Sequence, residues 1–169
     1  MQAKELMDYG KKKNLTQYSL AFITSALISL ILMNFVFELD HVSGLSMYPT
    51  LDDGQYVVCL KSSLIHYNNG DIVNIASVVL DENIVKRIIG VGGDTIEIKA
   101  DGQVYRNGKI IQESYLNSET DFDIEPMSVT VPNGYLFVMG DNRGVSADSR
   151  AFGCVSESEV VSVVLFGFE

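Results

Sequence analysis

The stretch Thr95-Ile96-Glu97-Ile98-Lys99-Ala100-Asp101-Gly102-Gln103-Val104-Tyr105-Arg106-Asn107-Gly108 holds two short strand-like runs, each ended by a turn dipeptide. Asp-Gly and Asn-Gly favour the positive φ angles of tight hairpin turns, so the stretch reads as a hairpin ladder. The same grammar extends in both directions. Candidate strands are Gln55–Leu60, Asp71–Ile75, Asn83–Val91, Thr95–Lys99, Gln103–Arg106, Ser128–Val131, Tyr135–Met139 and Val160–Phe166. Asp53-Gly54, Asn69-Gly70, Gly92-Gly93 and Asn133-Gly134 supply further breaks. Strands at this spacing, without helical periodicity between them, predict a mostly β fold built on an antiparallel β domain. The acidic, weakly patterned stretch Glu113–Glu125 reads as a surface loop.

Before this domain lies a different texture. From Asn14 to Phe37 there are 24 consecutive uncharged residues, mostly apolar. About 20 such residues suffice to cross a bilayer as a helix. A soluble core helix of this length is out of scale with a chain of 169 residues. A cleaved export signal would end in small residues, whereas this run ends Asn34-Phe35-Val36-Phe37. Residues 15–37 are therefore read as one uncleaved N-terminal transmembrane helix anchoring the chain in a lipid bilayer. Lys11, Lys12 and Lys13 precede the run, and Glu38 and Asp40 follow it. The positive-inside rule then assigns residues 1–14 to the cytoplasm and residues 38–169 to the extracytoplasmic side.

The net charge of −10 is unevenly shared: four lysines against Glu5 and Asp8 leave residues 1–37 at +2, and the remainder at −12. An acidic domain without clustered Lys and Arg is a poor nucleic-acid binder. Cys59 and Cys154 form no metal-ligand pattern with His41 and His66. Each lies in an apolar stretch, as buried free thiols do, and a disulfide stays open in an oxidising compartment.

Three segments carry chemistry. Val42-Ser43-Gly44-Leu45-Ser46-Met47-Tyr48-Pro49-Thr50-Leu51 is a Gly- and Pro-bearing loop that can present the Ser46 hydroxyl and leave backbone N–H groups for an oxyanion. In Asn83-Ile84-Val85-Lys86-Arg87-Ile88-Ile89-Gly90, strand alternation turns Lys86 to the face of Ile84 and Ile88. Burial there lowers a lysine's pKa and makes a neutral amine available as a base; the plainer alternative is an edge lysine reaching solvent. Arg87 stays protonated and suits a structural ion pair. Finally, Gly140 to Gly153 packs Asp141, Asn142, Arg143, Ser146, Asp148, Ser149 and Arg150 behind an apolar strand. That block is either a polar turn network or a scaffold that orients a catalytic amine.

Together these segments resemble the bacterial type I signal peptidases, in the small form of Gram-positive bacteria. The likeness rests on Ser46-Met47-Tyr48-Pro49-Thr50-Leu51, Lys86-Arg87 followed by Gly93-Asp94, and the ungapped block Gly140–Gly153. It continues through Asn69-Gly70-Asp71-Ile72-Val73, Tyr105-Arg106-Asn107-Gly108-Lys109 and Val131–Val138. It implies a serine endopeptidase of the Ser–Lys type that cuts signal peptides from exported pre-proteins after small residues, with neither metal nor cofactor. By that resemblance Ser46 is the nucleophile and Lys86 the general base. Ser146 hydrogen-bonds the amine, Asp148 pairs with Arg150, and shallow apolar pockets accept Ala at the first and third positions before the cut. The oxyanion falls to backbone N–H groups, that of Ser46 first and Ser43 as a candidate, because Gly44 has no hydroxyl to offer. Leu45 stands where the family more often has a polar or small residue. Gly92 replaces the usual Pro, which is expected to loosen the turn after the Lys86 strand.

Other readings compete. A signal-peptidase-like protein that binds client chains, for instance in assembling surface fibres, would keep the fold with little cleavage, but has no need of both Ser46 and Lys86. A self-cleaving repressor-type protease would carry a DNA-binding helix-turn-helix where this chain has an apolar span. An inert anchored β domain leaves the Gly140–Gly153 block unexplained. A Ser–His–Asp triad through His41 is unnecessary once Lys86 is available, and His66 reads as a loop residue.

Overall fold

The computed structural model describes residues 2–61, 66–116 and 125–168. The chain divides into two units, Met1–Phe37 and Glu38–Glu169. The first is one helix, α1 (Gln2–Val36), whose segment Gln17–Val36 is 20 residues long with a mean hydropathy of 2.1. At 1.5 Å per residue that is about 30 Å, the thickness of a bilayer's hydrocarbon core. The helix starts well before residue 15 and stops at Val36, because Phe37 already belongs to a strand.

The strands are β1 (Phe37–His41), β2 (Tyr56–Lys61), β3 (Ile72–Ser77), β4 (Glu82–Val91), β5 (Thr95–Ile98), β6 (Val104–Arg106), β7 (Lys109–Ile110), β8 (Met127–Thr130), β9 (Tyr135–Met139), β10 (Val155–Ser156) and β11 (Val160–Phe168). A one-turn helix, α2 (Ser149–Phe152), interrupts them. A seven-stranded sheet runs β1-β2-β11-β3-β4-β9-β10, and a four-stranded sheet runs β7-β6-β5-β8. From β2 to β10 in the first sheet, and throughout the second, pairing is antiparallel. The predicted strands are all present, with ends shifted by a residue or two. Strands β1, β7 and β10 and helix α2 are additional.

The turns follow the expected chemistry. Arg106 pairs with Lys109 across Asn107-Gly108, and both turn residues have positive φ, 53° and 74°, as a two-residue type I′ hairpin requires. The turn after β4 is firmer than its Gly92 suggests. Gly93 N donates to Val131 O at 2.9 Å and Val131 N to Asp94 O at 2.8 Å. Partial burial pushes the Asp94 carboxyl up, but hydrogen bonds from Asn107, Val91 N and Asn69 outweigh it and hold the group below its ordinary 3.8. A Cβ on Gly92 would lie 2.9 Å from Asn133 Cα, so the glycine admits the 132–134 turn instead of loosening its own.

Three apolar clusters hold the sheets. Val73, Ile75, Ile84, Ile88, Leu136 and Val138 form one; Ile89, Ile96, Val104, Phe137 and Met139 form the second between the sheets; Val42, Met47, Leu51, Val57 and Cys59 form the third, beneath the loop that carries Ser46. Both cysteines are free, and they sit in different clusters, Cys59 in the third and Cys154 against the second.

Candidate active site

Strand β1 ends at His41 and the chain turns into the Ser46 loop. The loop is fastened at its base: Val42 N donates to Gln55 O at 2.8 Å and Gly54 N to Val42 O at 2.9 Å. Gly44, at φ +90°, makes the bend, and its N–H donates to Asp53 Oδ1 at 2.7 Å. A left-handed φ of this kind is easy only for glycine. Met47 and Leu51 plug into the third cluster and fix the loop from below. Ser46, between Leu45 and Met47, is left half-buried.

Lys86 comes from the middle of β4. Its neighbours on the same face, Ile84 and Ile88, are buried, and Lys86 itself is only 4% exposed. Its Nζ donates to Ser46 Oγ at 2.9 Å and to Val85 O at 3.0 Å. Burial lowers its pKa from the ordinary 10.5, and the charges of Asp148 and Glu82 oppose that only in part. Desolvation therefore favours the neutral amine, the form that can accept a proton.

The polar block after β9 surrounds this pair. Asn142 N donates to Ser46 O at 2.9 Å. Asp148, fully buried, takes Arg150 Nε and Nη2, each at 2.8 Å, and Gly140 N at 3.0 Å. It also caps α2 through Arg150 N. The expected Asp148–Arg150 pair is thus present as a two-pronged bond. The expected bond from Ser146 to the lysine amine is absent: Ser146 Oγ is buried without a hydrogen-bond partner. The amine is instead turned to Ser46 Oγ and Val85 O. Gly140 makes this crowding possible, since a Cβ there would stand 2.3 Å from Ser146 Oγ and 2.5 Å from Ser46 O.

Arg87 makes the ion pair foreseen for it, and the partner is Asp141: Nε reaches Oδ1 at 2.8 Å and Nη2 reaches Oδ2 at 2.6 Å. Thr50 donates to the same carboxylate, so one buried acid ties the Ser46 loop, β4 and the polar block together. Arg87 also lies 4.0 Å over the Tyr115 ring. Sequence reasoning missed Glu113. It is no solvated loop residue: its side chain is 8% exposed and pairs with buried Arg143. Residues 117–124 of that predicted loop lie outside the described residues. His41 packs edge-on against Tyr56 at 5.2 Å, and His66 is exposed.

The family described as "Signal peptidase, peptidase S26" matches residues 15–168. The chain is 37% identical to signal peptidase I T of Bacillus subtilis (strain 168), over 94% of this chain and 89% of that one. It is 36% identical to signal peptidase IB of Staphylococcus aureus, over 93% and 91% of the two chains. The crystal structure of a signal peptidase I from Enterococcus faecalis V583 is similar with a TM-score of 0.53 and 32% identity, covering 59% of this chain and 97% of that one.

Proposed function

The chain belongs to the signal peptidase family, peptidase S26, and is a membrane-anchored serine endopeptidase that removes signal peptides; we propose that Ser46 is its nucleophile and Lys86 its general base. The observation that carries this assignment is the 2.9 Å approach of Lys86 Nζ to Ser46 Oγ on a buried apolar face. Neutral Lys86 takes the hydroxyl proton as Ser46 Oγ attacks the scissile carbonyl. The new C–O bond gives a tetrahedral oxyanion. Its collapse breaks the C–N bond, and Lys86 returns the proton to the leaving amine. Water, deprotonated by the same amine, then hydrolyses the acyl-enzyme. The Ser46 N–H donates to no acceptor among the described residues and is free to hold the oxyanion. Asp148 and Arg150 keep the Gly140–Gly153 block rigid behind the pair.

The reading extends to topology. Residues 15–37 hold the chain in the bilayer with residues 1–14 in the cytoplasm and residues 38–169 outside, where pre-proteins emerge. The test is cleavage of a pre-protein ending in Ala-X-Ala by detergent-solubilised full-length chain. Wild type cuts after the last Ala, while Ser46→Ala and Lys86→Met, folded and membrane-inserted, do not. Full activity in either variant refutes the assignment. An inert wild type that still binds pre-proteins supports the client-binding alternative instead.

A further inference from the structure

Two inward-turned polar side chains, Glu113 and Tyr115, take no part in the bond changes written above. They come from a segment that leaves the small sheet. After β7, Ile111 N still donates to Val104 O at 2.9 Å, and Ile111 packs on the second apolar cluster. Glu113 and Tyr115 are then partly buried, with Ser114 exposed between them. Leu116 N closes a turn on Glu113 O at 3.1 Å.

Glu113 grips Arg143. Its carboxylate accepts both terminal nitrogens of the guanidinium, Nη1 at 3.2 Å and Nη2. The remaining nitrogen, Nε, donates to Gly140 O at 3.2 Å, and Arg143 O accepts Arg150 Nη2 at 2.8 Å. A guanidinium is a rigid planar fork, so holding it on both edges fixes the 140–143 turn. That turn is what meets the nucleophile. Asn142 N donates to Ser46 O at 2.9 Å, and Gly140 stands against the same carbonyl.

Tyr115 acts on Arg87. Asp141 and Gly70 O take the nitrogens of that guanidinium, and its face lies over the Tyr115 ring at 4.0 Å. Burial, then the charge and hydrogen bond of Glu113, push the Tyr115 phenol up, so it keeps its proton. The phenol donates to Glu113 Oε1 at 2.9 Å. One hydrogen bond therefore joins the grip on Arg143 to the grip on Arg87. Arg143 follows Asn142 in the turn that holds Ser46, and Arg87 follows Lys86 on β4.

Stability is a weak reason for this arrangement, since a buried ion pair is often no more stabilising than apolar residues of the same volume. What a two-pronged or stacked arginine supplies is one fixed geometry.

We propose that Glu113 and Tyr115 are positioning residues of the reaction, bracing Arg143 and Arg87 so that the 140–143 turn and the Lys86 strand hold Ser46 and Lys86 in reacting geometry. The inference rests on the Ser46–Lys86 reading.

The test is steady-state cleavage of an Ala-X-Ala pre-protein by the detergent-solubilised full-length chain, beside denaturant melts. Wild type is compared with Glu113→Gln, Tyr115→Leu, Tyr115→Phe and Ser46→Ala. Gln keeps the length of Glu113 but offers one acceptor oxygen to a fork that needs two. Leu removes the ring from beneath Arg87, and Phe keeps it. In Glu113→Gln and Tyr115→Leu, kcat is expected to fall about tenfold or more with KM nearly unchanged, the mark of misplaced reacting groups. Tyr115→Phe restores most of the kcat lost in Tyr115→Leu. A merely structural role predicts lower melting midpoints with the kcat of the folded protein intact. Wild-type kcat in folded Glu113→Gln or Tyr115→Leu therefore overturns the proposal, as does a Tyr115→Phe no faster than Tyr115→Leu. If Glu113→Gln does not fold, the Tyr115 pair decides alone. Cleavage that survives in Ser46→Ala overturns the Ser46–Lys86 assignment, and the brace with it.

Discussion

Gly140→Ala adds one methyl group at the point where the nucleophile and the polar block touch. Gly140 does not have a left-handed φ, so the penalty is steric alone. The new Cβ would lie 2.3 Å from Ser146 Oγ, 2.5 Å from Ser146 Cβ and 2.5 Å from Ser46 O, where ordinary contact begins at 3.4 Å. A hydroxyl can rotate away. The Cβ of Ser146 and the carbonyl of Ser46 cannot, and the latter is also held by Asn142 N at 2.9 Å. Something must move by on the order of 1 Å, and half of what can move is the nucleophile itself. Overpacking of this kind costs about 1–3 kcal/mol of stability. A misplacement of about 1 Å at reacting groups costs about a hundredfold in rate. The expected outcome is a folded protein whose kcat on an Ala-X-Ala pre-protein falls about a hundredfold, with KM nearly unchanged because the substrate strand is untouched. Steady-state kinetics beside a denaturant melt separate the two effects. Activity within threefold of wild type would refute the claim that this contact sets the Ser46–Lys86 geometry.

Burial lowers the Lys86 pKa, so cleavage should rise with pH through that lowered value and be lost on the acid side; Asp148→Asn, which removes a charge that raises it, should move the acid limb to lower pH. In stability the same lysine binds fewer protons folded than unfolded, so its cost is greatest below the folded pKa and fades as pH rises towards 10.5. Lys86→Met should accordingly be stabilised over wild type at neutral pH, with the gap closing at alkaline pH in denaturant titrations. Asp141→Ala strands the buried Arg87 guanidinium and should cost about 3–5 kcal/mol; the double variant Arg87→Met, Asp141→Leu should recover most of it. Gly92→Pro, despite the family's preference, should destabilise this chain by about 1–3 kcal/mol, because a side chain there meets the Asn133 backbone.

What the sequence discloses and what it hides divide along physical lines. Turn chemistry is local: Asn107-Gly108 states its hairpin in two letters, and the strands between such turns were legible with it. Strand β1 was not, because Phe37-Glu38-Leu39-Asp40-His41 follows an apolar run and carries two acids, and what turns Asp40 inward is a partner on β3. Burial of charge is hidden for the same reason. Glu113 sits in an acidic stretch and looks solvated, yet it closes on Arg143, 30 residues away. Ser46 and Lys86 could be named only from the family resemblance that three segments carry together, because neither local setting decides the matter alone. Their 2.9 Å approach is not legible there, because it is made across distant segments and beside Gly140, where a Cβ would stand 2.5 Å from Ser46 O.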